Sequence, residues 1–435
     1  MDRMLKKSVI IWIALAAAVQ LAHAQGVALS PTSFNKITKE EIQLLLKDVA
    51  SSNPDALKKL ADPESRQQQI DSLKQLLAFA SQAQKDGLAD FPTNRQELRS
   101  IRSEVIAVNY DKEINAGKGP MPPFGNISDA RVKAFWTAGE TAKTRESAFA
   151  QFLDAKLELL KASNSQMSDR VPSQEEKEQA REFFAKVKIY EGEYESKRNT
   201  LSKDLRDKID LQIKLQQAQF LARQYSEKIA ERVKITDTEI DSYISKHPEL
   251  DTSEKRAKAE KILTRVKAGE DFASLANEFS EDPGNKGVDG KLQGGLYQNV
   301  GMGVMVPPFE KAALALKPGA VSPGLVESDF GYHIIKLEKK GPSPDDPKKE
   351  VYDVRHILIS TAFNDPALSA SSVPLRSYVR GKLEGEKEKL TVEELIRANN
   401  VQVAEDFVLP DVSAKPAAVK KAPVSKKRKP VRRRR

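Results

Sequence analysis

Two histidines lie in nearly identical apolar contexts, His333 in the run GYHII and His356 in the run RHILI. Both runs are rich in β-branched residues, which predicts two strands. Asp282 lies in the run FSEDPG, where a predicted helix ends in a loop. Imidazole and carboxylate groups relay hydrogen bonds near neutral pH. We interpret the histidines as a pair on neighbouring strands. The alternatives are that they only support the fold and that Asp282 is an ordinary turn residue.

The residue types that are absent exclude several kinds of site. None of the 435 residues is Cys, so the chain has no disulfide, thiolate metal ligand, iron–sulfur cluster or cysteine nucleophile. Four residues are His, and no His-Glu-x-x-His pattern or histidine pair on a predicted helix indicates a zinc site. The glycines of 290–303 lack the spacing of a nucleotide-binding loop. We therefore expect neither a metal nor a cofactor.

The elements that must position these residues lie in a region whose composition differs from that of the flanking segments. Residues 25–250 carry apolar side chains at three- and four-residue steps, which predicts amphipathic helices. Gly and Pro become frequent after residue 250, and 251–361 predicts a small α+β domain. Residues 374–409 return to a helical pattern. The predicted fold class is α+β, with a mostly helical domain into which the small domain is inserted.

The first 24 residues have the pattern of a secretory signal peptide. Basic residues precede an apolar run of about a dozen residues, and a small-x-small site ends at Ala24. The run is short for a membrane span, although an uncleaved anchor is the alternative. We expect cleavage near Ala24 and a periplasmic or secreted protein.

The basic charge of the chain is concentrated at its C-terminus. The chain has 71 basic and 62 acidic residues, and 11 of the basic ones lie in 415–435, which holds no acid. We expect 410–435 to be a disordered tail. It lacks interleaved aromatic residues, which argues against base stacking, so no nucleic acid is expected. An anionic membrane or cell-wall surface is the predicted partner of the tail.

Three motifs follow one another between 268 and 338. They are AGEDFASLANEFSEDPG, MVPPFEKAALALKPG and FGYHIIKLE. Their order and spacing resemble the parvulin (PpiC-type) family of peptidyl-prolyl cis–trans isomerases, whose domains have an antiparallel sheet flanked by helices. The helical run within 60–115 and the helix of 374–407 resemble the chaperone domain of SurA-like periplasmic foldases.

The resemblance implies a role for each site residue. It places Asp282, His333, His356 and Ser328 in the catalytic site, with Asp282 fixing the hydrogen bonds of the histidines. It places Leu292, Met305 and Phe309 in the pocket for the proline ring. The alternative for these apolar residues is that they are core, where Met and Phe are common.

One feature departs from the family pattern. Parvulin domains open with a strand that contains Arg-His-Ile-Leu, but this motif lies downstream here, at 355–358. First and last strands are antiparallel neighbours in the parvulin sheet, so a turn through 341–350 could join them. We interpret the domain as circularly permuted, with its first strand displaced to 351–361 and His356 beside His333 as a cross-strand neighbour. The alternative is a truncated second repeat that begins at 353.

The resemblance predicts an exported peptidyl-prolyl cis–trans isomerase and chaperone. It would assist the folding of secreted or outer-membrane proteins, and its partners would be unfolded or extended polypeptides that contain proline. The alternative is a catalytically silent holdase that binds unfolded clients without turnover.

Overall fold

The computed structural model describes residues 33–119, 121–137, 139, 141–163, 169–364 and 372–410. The predicted signal peptide lies outside the described residues, and so does the predicted tail from residue 411 onward. The chain divides into two compact units. The helical unit comprises the residues up to Arg232 and those from Thr391, and the mixed unit comprises Val233–Leu390. Within the described residues, no helix has both the length and the apolar character that a membrane span requires.

The first part of the helical unit is a series of helices preceded by one short strand. Its elements are β1 (Lys36–Ile37), α1 (Lys39–Ser52), α2 (Pro54–Lys59), α3 (Pro63–Lys85), α4 (Pro92–Asn115), α5 (Asp129–Thr137), α6 (Ala142–Ser163), α7 (Gln174–Lys197) and α8 (Lys203–Val233). Ser173 and Glu176 form the capping box that begins α7, as the sequence predicts. A core of buried aromatic and aliphatic side chains joins α4 to α7, with the rings of Tyr110 and Tyr190 5.8 Å apart in an edge contact.

The mixed unit has helices on both faces of a small sheet. Its elements are α9 (Asp237–Ser245), α10 (Ser253–Lys267), α11 (Phe272–Phe279), β2 (Leu296–Gly301), α12 (Pro307–Leu314), β3 (Val326–Ser328), β4 (Gly331–Pro342), β5 (Glu350–Ser360), β6 (Ala362–Asn364), β7 (Ser372–Pro374) and the first part of α13 (Leu375–Ala398). The chain then forms β8 (Gln402–Val403), which pairs in parallel with β1 in the helical unit. This confirms the predicted α+β class with a small antiparallel sheet.

The four strands of the main sheet lie in the order β2-β5-β4-β3, and every pair is antiparallel. Strand β5, predicted over 351–361, is therefore internal, and a hairpin joins it to β4. Its side chains alternate between two buried clusters: Ile357 and Ile359 pack with α10 and α11, whereas Tyr352 and Val354 pack with α12. Burial on both faces explains why the run is so rich in Val and Ile. The circular permutation itself stays a prediction.

The mixed unit begins at Val233 rather than at the predicted boundary of 251. Helix α9 belongs to it because Ile240 and Leu250 pack with Leu375 and Val379 of α13 in one buried cluster. The segment 374–409, predicted as a returning helix, is helical only to Ala398, and it contributes to both units.

Candidate active site

The two predicted site histidines lie on the same face of β4 and β5. The sequence predicts that they are cross-strand neighbours, but they do not oppose each other directly: His333 pairs with Leu358, and His356 pairs with Ile335. Gly331 sets this register: it has φ of +137° opposite Ser360, and a Cβ there would lie 2.3 Å from the carbonyl oxygen of Ile359. The histidines are therefore diagonal neighbours, with their Nδ1 atoms 3.4 Å apart and their rings within 21° of parallel.

Asp282 reaches His356 from the loop after α11. Its Oδ2 atom lies 2.9 Å from His356 Nε2. The loop is held to β5 beyond the end of β2, because Glu281 N donates to the carbonyl oxygen of Leu358 and Leu358 N donates to Ser280 Oγ. Asp282 Oδ1 also accepts from Gly284 N. The carboxylate therefore both caps a turn and contacts the histidine pair.

Ser328 reaches the other end of the histidine pair. It lies at the end of β3, is 4% exposed, and its Oγ lies 2.7 Å from His333 Nε2. Phe330 N donates to the same oxygen at 3.1 Å. The structure thus brings together all four residues that the sequence assigns to the catalytic site.

A residue that sequence reasoning missed completes this hydrogen-bond chain. The phenol of Tyr297 on β2 donates to Asp282 Oδ2 at 2.6 Å, and its ring centroid lies 5.4 Å from that of His356. The preceding Gly295 lets β2 approach closely, because a Cβ there would lie 2.2 Å from the carbonyl oxygen of His356. The sequence signal that could have indicated it is a tyrosine two residues after the Gly294-Gly295 pair.

One set of donors satisfies the whole chain when both rings are neutral. His356 Nε2–H donates to Asp282, and its Nδ1 then accepts from Nδ1–H of His333. His333 Nε2 in turn accepts from the Ser328 hydroxyl, whose oxygen accepts from the backbone. These partners assign the tautomers of both buried histidines.

The electrostatics of the chain favour an ionised Asp282 carboxylate and a neutral His333 imidazole. Burial raises the pKa of Asp282, but hydrogen bonds from His356 and Tyr297 outweigh this effect and lower the pKa to about 2. Burial, with the nearby His356, lowers the pKa of His333 to about 3 although Asp282 opposes the shift. Burial and the bond to Asp282 raise the pKa of the Tyr297 phenol.

An apolar cluster lies against the histidines on the α12 side of the sheet. Phe309 is 2% exposed, and its ring makes edge contacts with both imidazoles, at 5.3 Å to His333 and 5.1 Å to His356. Met305 and Tyr297 pack against the same cluster. Leu292, the third expected pocket residue, is 52% exposed in a loop and lies outside this cluster. Of the apolar side chains near the histidines, Phe309, Met305 and Tyr297 therefore belong to this cluster and Leu292 does not.

Comparison with known proteins gives a family for this region. Residues 240–339 match the Rotamase family, described as the PPIC-type PPIASE domain. The matched segment includes Asp282, Ser328 and His333 but ends before β5 and His356. Because His356 of β5 contacts His333 and Asp282, the site extends beyond the matched segment.

Several relatives are foldases by name. The chain is 41% identical over 139 residues to foldase protein PrsA 4 of Bacillus cereus, which is 31% of this chain and 47% of that protein. It is 42% identical over 127 residues to foldase protein PrsA of Caldanaerobacter subterraneus, covering 27% and 39%. It is 34% identical over 176 residues to foldase protein PrsA of Clostridium kluyveri, covering 38% and 50%. The chain spans about half the length of these relatives or less. Residues 240–339 of the mixed unit are therefore similar to the PPIC-type PPIASE domain, and the chain is similar over part of its length to proteins named as foldases.

Proposed function

We propose that the mixed unit isomerises the peptide bond before proline in extended polypeptide clients. The observation that carries this proposal is the continuous hydrogen-bond chain from Tyr297 to Ser328 alongside an apolar cluster. The domain match supports it. The barrier to rotation is ~18–20 kcal/mol because of amide resonance, and lowering it requires no nucleophile, metal or cofactor.

The site residues would divide this work between an apolar part and a polar part. Met305, Tyr297 and Phe309 would hold the proline ring while the carbonyl side of the bond turns. The polar chain would favour the twisted amide over both planar forms, which is the requirement for a rate gain. With a pKa of about 2, Asp282 is ionised at neutral pH and keeps His356 oriented.

The test is isomerisation of a proline-containing peptide, together with proline-limited refolding of a client protein. We expect Asp282→Ala combined with Met305→Ala to lower kcat/KM at least tenfold. Asp289→Ala is the matched control, since Asp289 is an exposed loop carboxylate whose hydrogen bond and ion pair are with Lys291. Equal rates in the wild type and the double variant would leave the silent holdase as the function.

The helical unit is the proposed chaperone part, on the basis of its resemblance to SurA-like foldases. It would bind unfolded, proline-containing segments of secreted or outer-membrane proteins and present them to the mixed unit. An aggregation assay with an unfolded client protein measures whether the double variant keeps its holdase activity, and this separates the two activities. A variant that retains holdase activity but not isomerase activity would support this division, and loss of both together would contradict it.

We place the protein in the periplasm or outside the cell, with 1–24 removed near Ala24. The basic segment of 415–435 would then bind an anionic lipid or cell-wall surface by charge attraction. Flotation with vesicles that contain anionic lipid tests the second statement. Binding should disappear in a chain that ends at 410 and should weaken with salt. Binding that persists in the shortened chain would exclude the tail as its cause.

A further inference from the structure

The turn that follows Ser328 is held against β5. Asp329 and Phe330 join β3 to β4, and Thr361 N donates to the carbonyl oxygen of Phe330. At the β4 end, Gly331 has no space for a Cβ, so the backbone lies directly against β5. This hairpin presents the Ser328 hydroxyl to His333, and any rotation of the turn would break that hydrogen bond.

Side chains of helix α13 donate hydrogen bonds to the same hairpin. Arg380 Nη1 donates to Asp329 Oδ2 at 2.7 Å, and Ser377 Oγ donates to the same oxygen at 3.1 Å. Arg376, whose side chain is 12% exposed, donates to Glu327 Oε1 at 3.2 Å. Two guanidinium groups thus neutralise the carboxylates on either side of Ser328.

The two arginines are themselves fixed by α9. Arg376 contacts Asp237 and Asp241, and Arg380 contacts Asp237. The hairpin carboxylates therefore share their cations with the carboxylates of α9. Removal of an arginine would leave like charges close together on the two elements, which would repel the turn from its position. Arg256 of α10 also approaches Glu327, at 3.9 Å. The hydrogen bonds to the Asp329 carboxylate from Ser377 and Arg380 both come from α13.

We propose that Arg376 and Arg380 are positioning residues for the isomerase site, and that they hold the β3–β4 hairpin so that Ser328 stays bonded to His333. This inference rests on the proposed isomerase function. Of the two arginines, Arg380 offers the cleaner test, because it contacts the turn residue next to Ser328.

The experiment uses the full chain with three substitutions on α13. Arg380→Ala removes the hydrogen bond and the ion pair with Asp329, and Arg380→Lys keeps a cation within reach of Asp329. Lys387→Ala is the matched control, because Lys387 joins α13 to α9 through the carbonyl oxygen of Lys234 and the carboxylate of Glu239 but does not contact the hairpin. Two properties are measured for each variant: kcat/KM on a proline peptide, and the 15N chemical shifts of the His333 ring, which report the acceptor state of Nε2.

We expect Arg380→Ala to lower kcat/KM three- to tenfold, since small displacements at a reacting centre have effects of this order or larger. The His333 Nε2 signal should move toward that of a nitrogen without a hydroxyl donor. Arg380→Lys should restore most of both properties, and Lys387→Ala should leave both unchanged. An unchanged His333 signal in Arg380→Ala would overturn the positioning role. If the wild type shows no isomerase activity, the proposed function fails, but the NMR comparison still decides whether α13 positions Ser328.

Discussion

Both units of the protein contain a buried network of titratable side chains, and the two networks differ in kind. In the helical unit, Lys188 of α7 donates to Glu191 and Ser103, and Arg102 of α4 binds Glu191 and Glu195. Burial lowers the pKa of Lys188. Lys188 pairs with Glu191 along α7, and Arg102 pairs with Glu191 and Glu195 between α4 and α7, which is the pattern of structural ion pairs.

The network in the mixed unit has one carboxylate and two histidines, and among the residues that the structure describes no Lys or Arg pairs with it. Its ends are a phenol and a backbone N–H group, and it lies beside an apolar cluster on one face of a sheet. The comparison teaches that burial of titratable groups does not by itself identify a site. The arrangement of hydrogen-bonding groups beside an apolar surface distinguishes the second network from the first.

The largest effect should come from removing the internal strand of the mixed unit. A chain that ends at Lys340 lacks β5, so β2 and β4 lose their common partner and buried backbone groups stay unpaired. We expect it to lose the isomerase fold, as measured by amide exchange and peptide isomerisation. A chain that ends just after Thr361 keeps β5 and should keep the sheet and measurable isomerase activity, but this activity should be reduced because α13, with Arg376 and Arg380, is missing. If the shorter chain keeps its stability and activity, the circular permutation is wrong and 351–361 is the remnant of a second repeat.

The second effect is a loss of stability of the mixed unit as the pH falls below 6.5. The pKa of His333 is about 3 in the folded state against 6.5 as its ordinary value, so the unfolded chain binds a proton more readily. The stabilisation is complete above pH 6.5 and is lost as the pH falls toward 3, by up to about 1.4 kcal/mol per pH unit. The Asp282 carboxylate adds a further loss between pH 3.8 and about 2.

Urea unfolding at pH 7, 5 and 4 measures this loss of stability. Amide exchange of β4 follows the mixed unit, and fluorescence of Trp136, which packs among Phe149 and Phe184, follows the helical unit. The His333→Gln variant should flatten the pH dependence between 6.5 and 4. An equally steep decline in that variant would mean that another group is responsible.

The third effect falls on the helical unit alone. Lys188→Met leaves Glu191 with less compensation in a buried position, and we expect about 3 kcal/mol of destabilisation. Urea unfolding followed by Trp136 fluorescence measures it. Isomerase activity on a short peptide should not change, because this network is structural. A large fall in peptide turnover with little loss of stability would show that the distinction between the two networks is wrong.

The smallest effect should come from one hydroxyl in the site network. Tyr297→Phe removes the donor to Asp282, so the pKa of this carboxyl should rise from about 2 toward its ordinary 3.8. We expect the variant to lose roughly 1 kcal/mol of transition-state stabilisation, which lowers kcat/KM about fivefold. A 13C NMR titration of Asp282 and peptide kinetics measure the two changes. Tyr352→Phe is the control, because its phenol bonds Glu310 instead; equal effects of both variants would contradict a specific role for Tyr297.

Helix caps and β-branched runs, which involve only residues close together in the chain, predicted their elements well. The Ser173-x-x-Glu176 and Thr236-x-x-Glu239 patterns form capping boxes that begin helices, and the β-branched run of 351–361 forms β5. Helix α4 begins at Pro92, so Thr93 lies in its first turn and not at its cap. A proline at the first helical position is an equally local signal, and here it decides the boundary.

The sequence by itself determined the chemistry that is available: no thiol, few histidines, and two of these on apolar strands. It also determined which segments are helical, because periodicity and caps depend on neighbours in the chain. Only the tertiary structure decided which atoms meet. The diagonal arrangement of His333 and His356 follows from the register of β4 and β5, whose backbones meet at Gly331 without room for a Cβ. The hydrogen bond of Tyr297 to Asp282 depends on the close approach of β2 to β5. The contact of Arg380 with Asp329 joins residues far apart in the chain, and no spacing rule connects them because packing alone brings α13 to the hairpin.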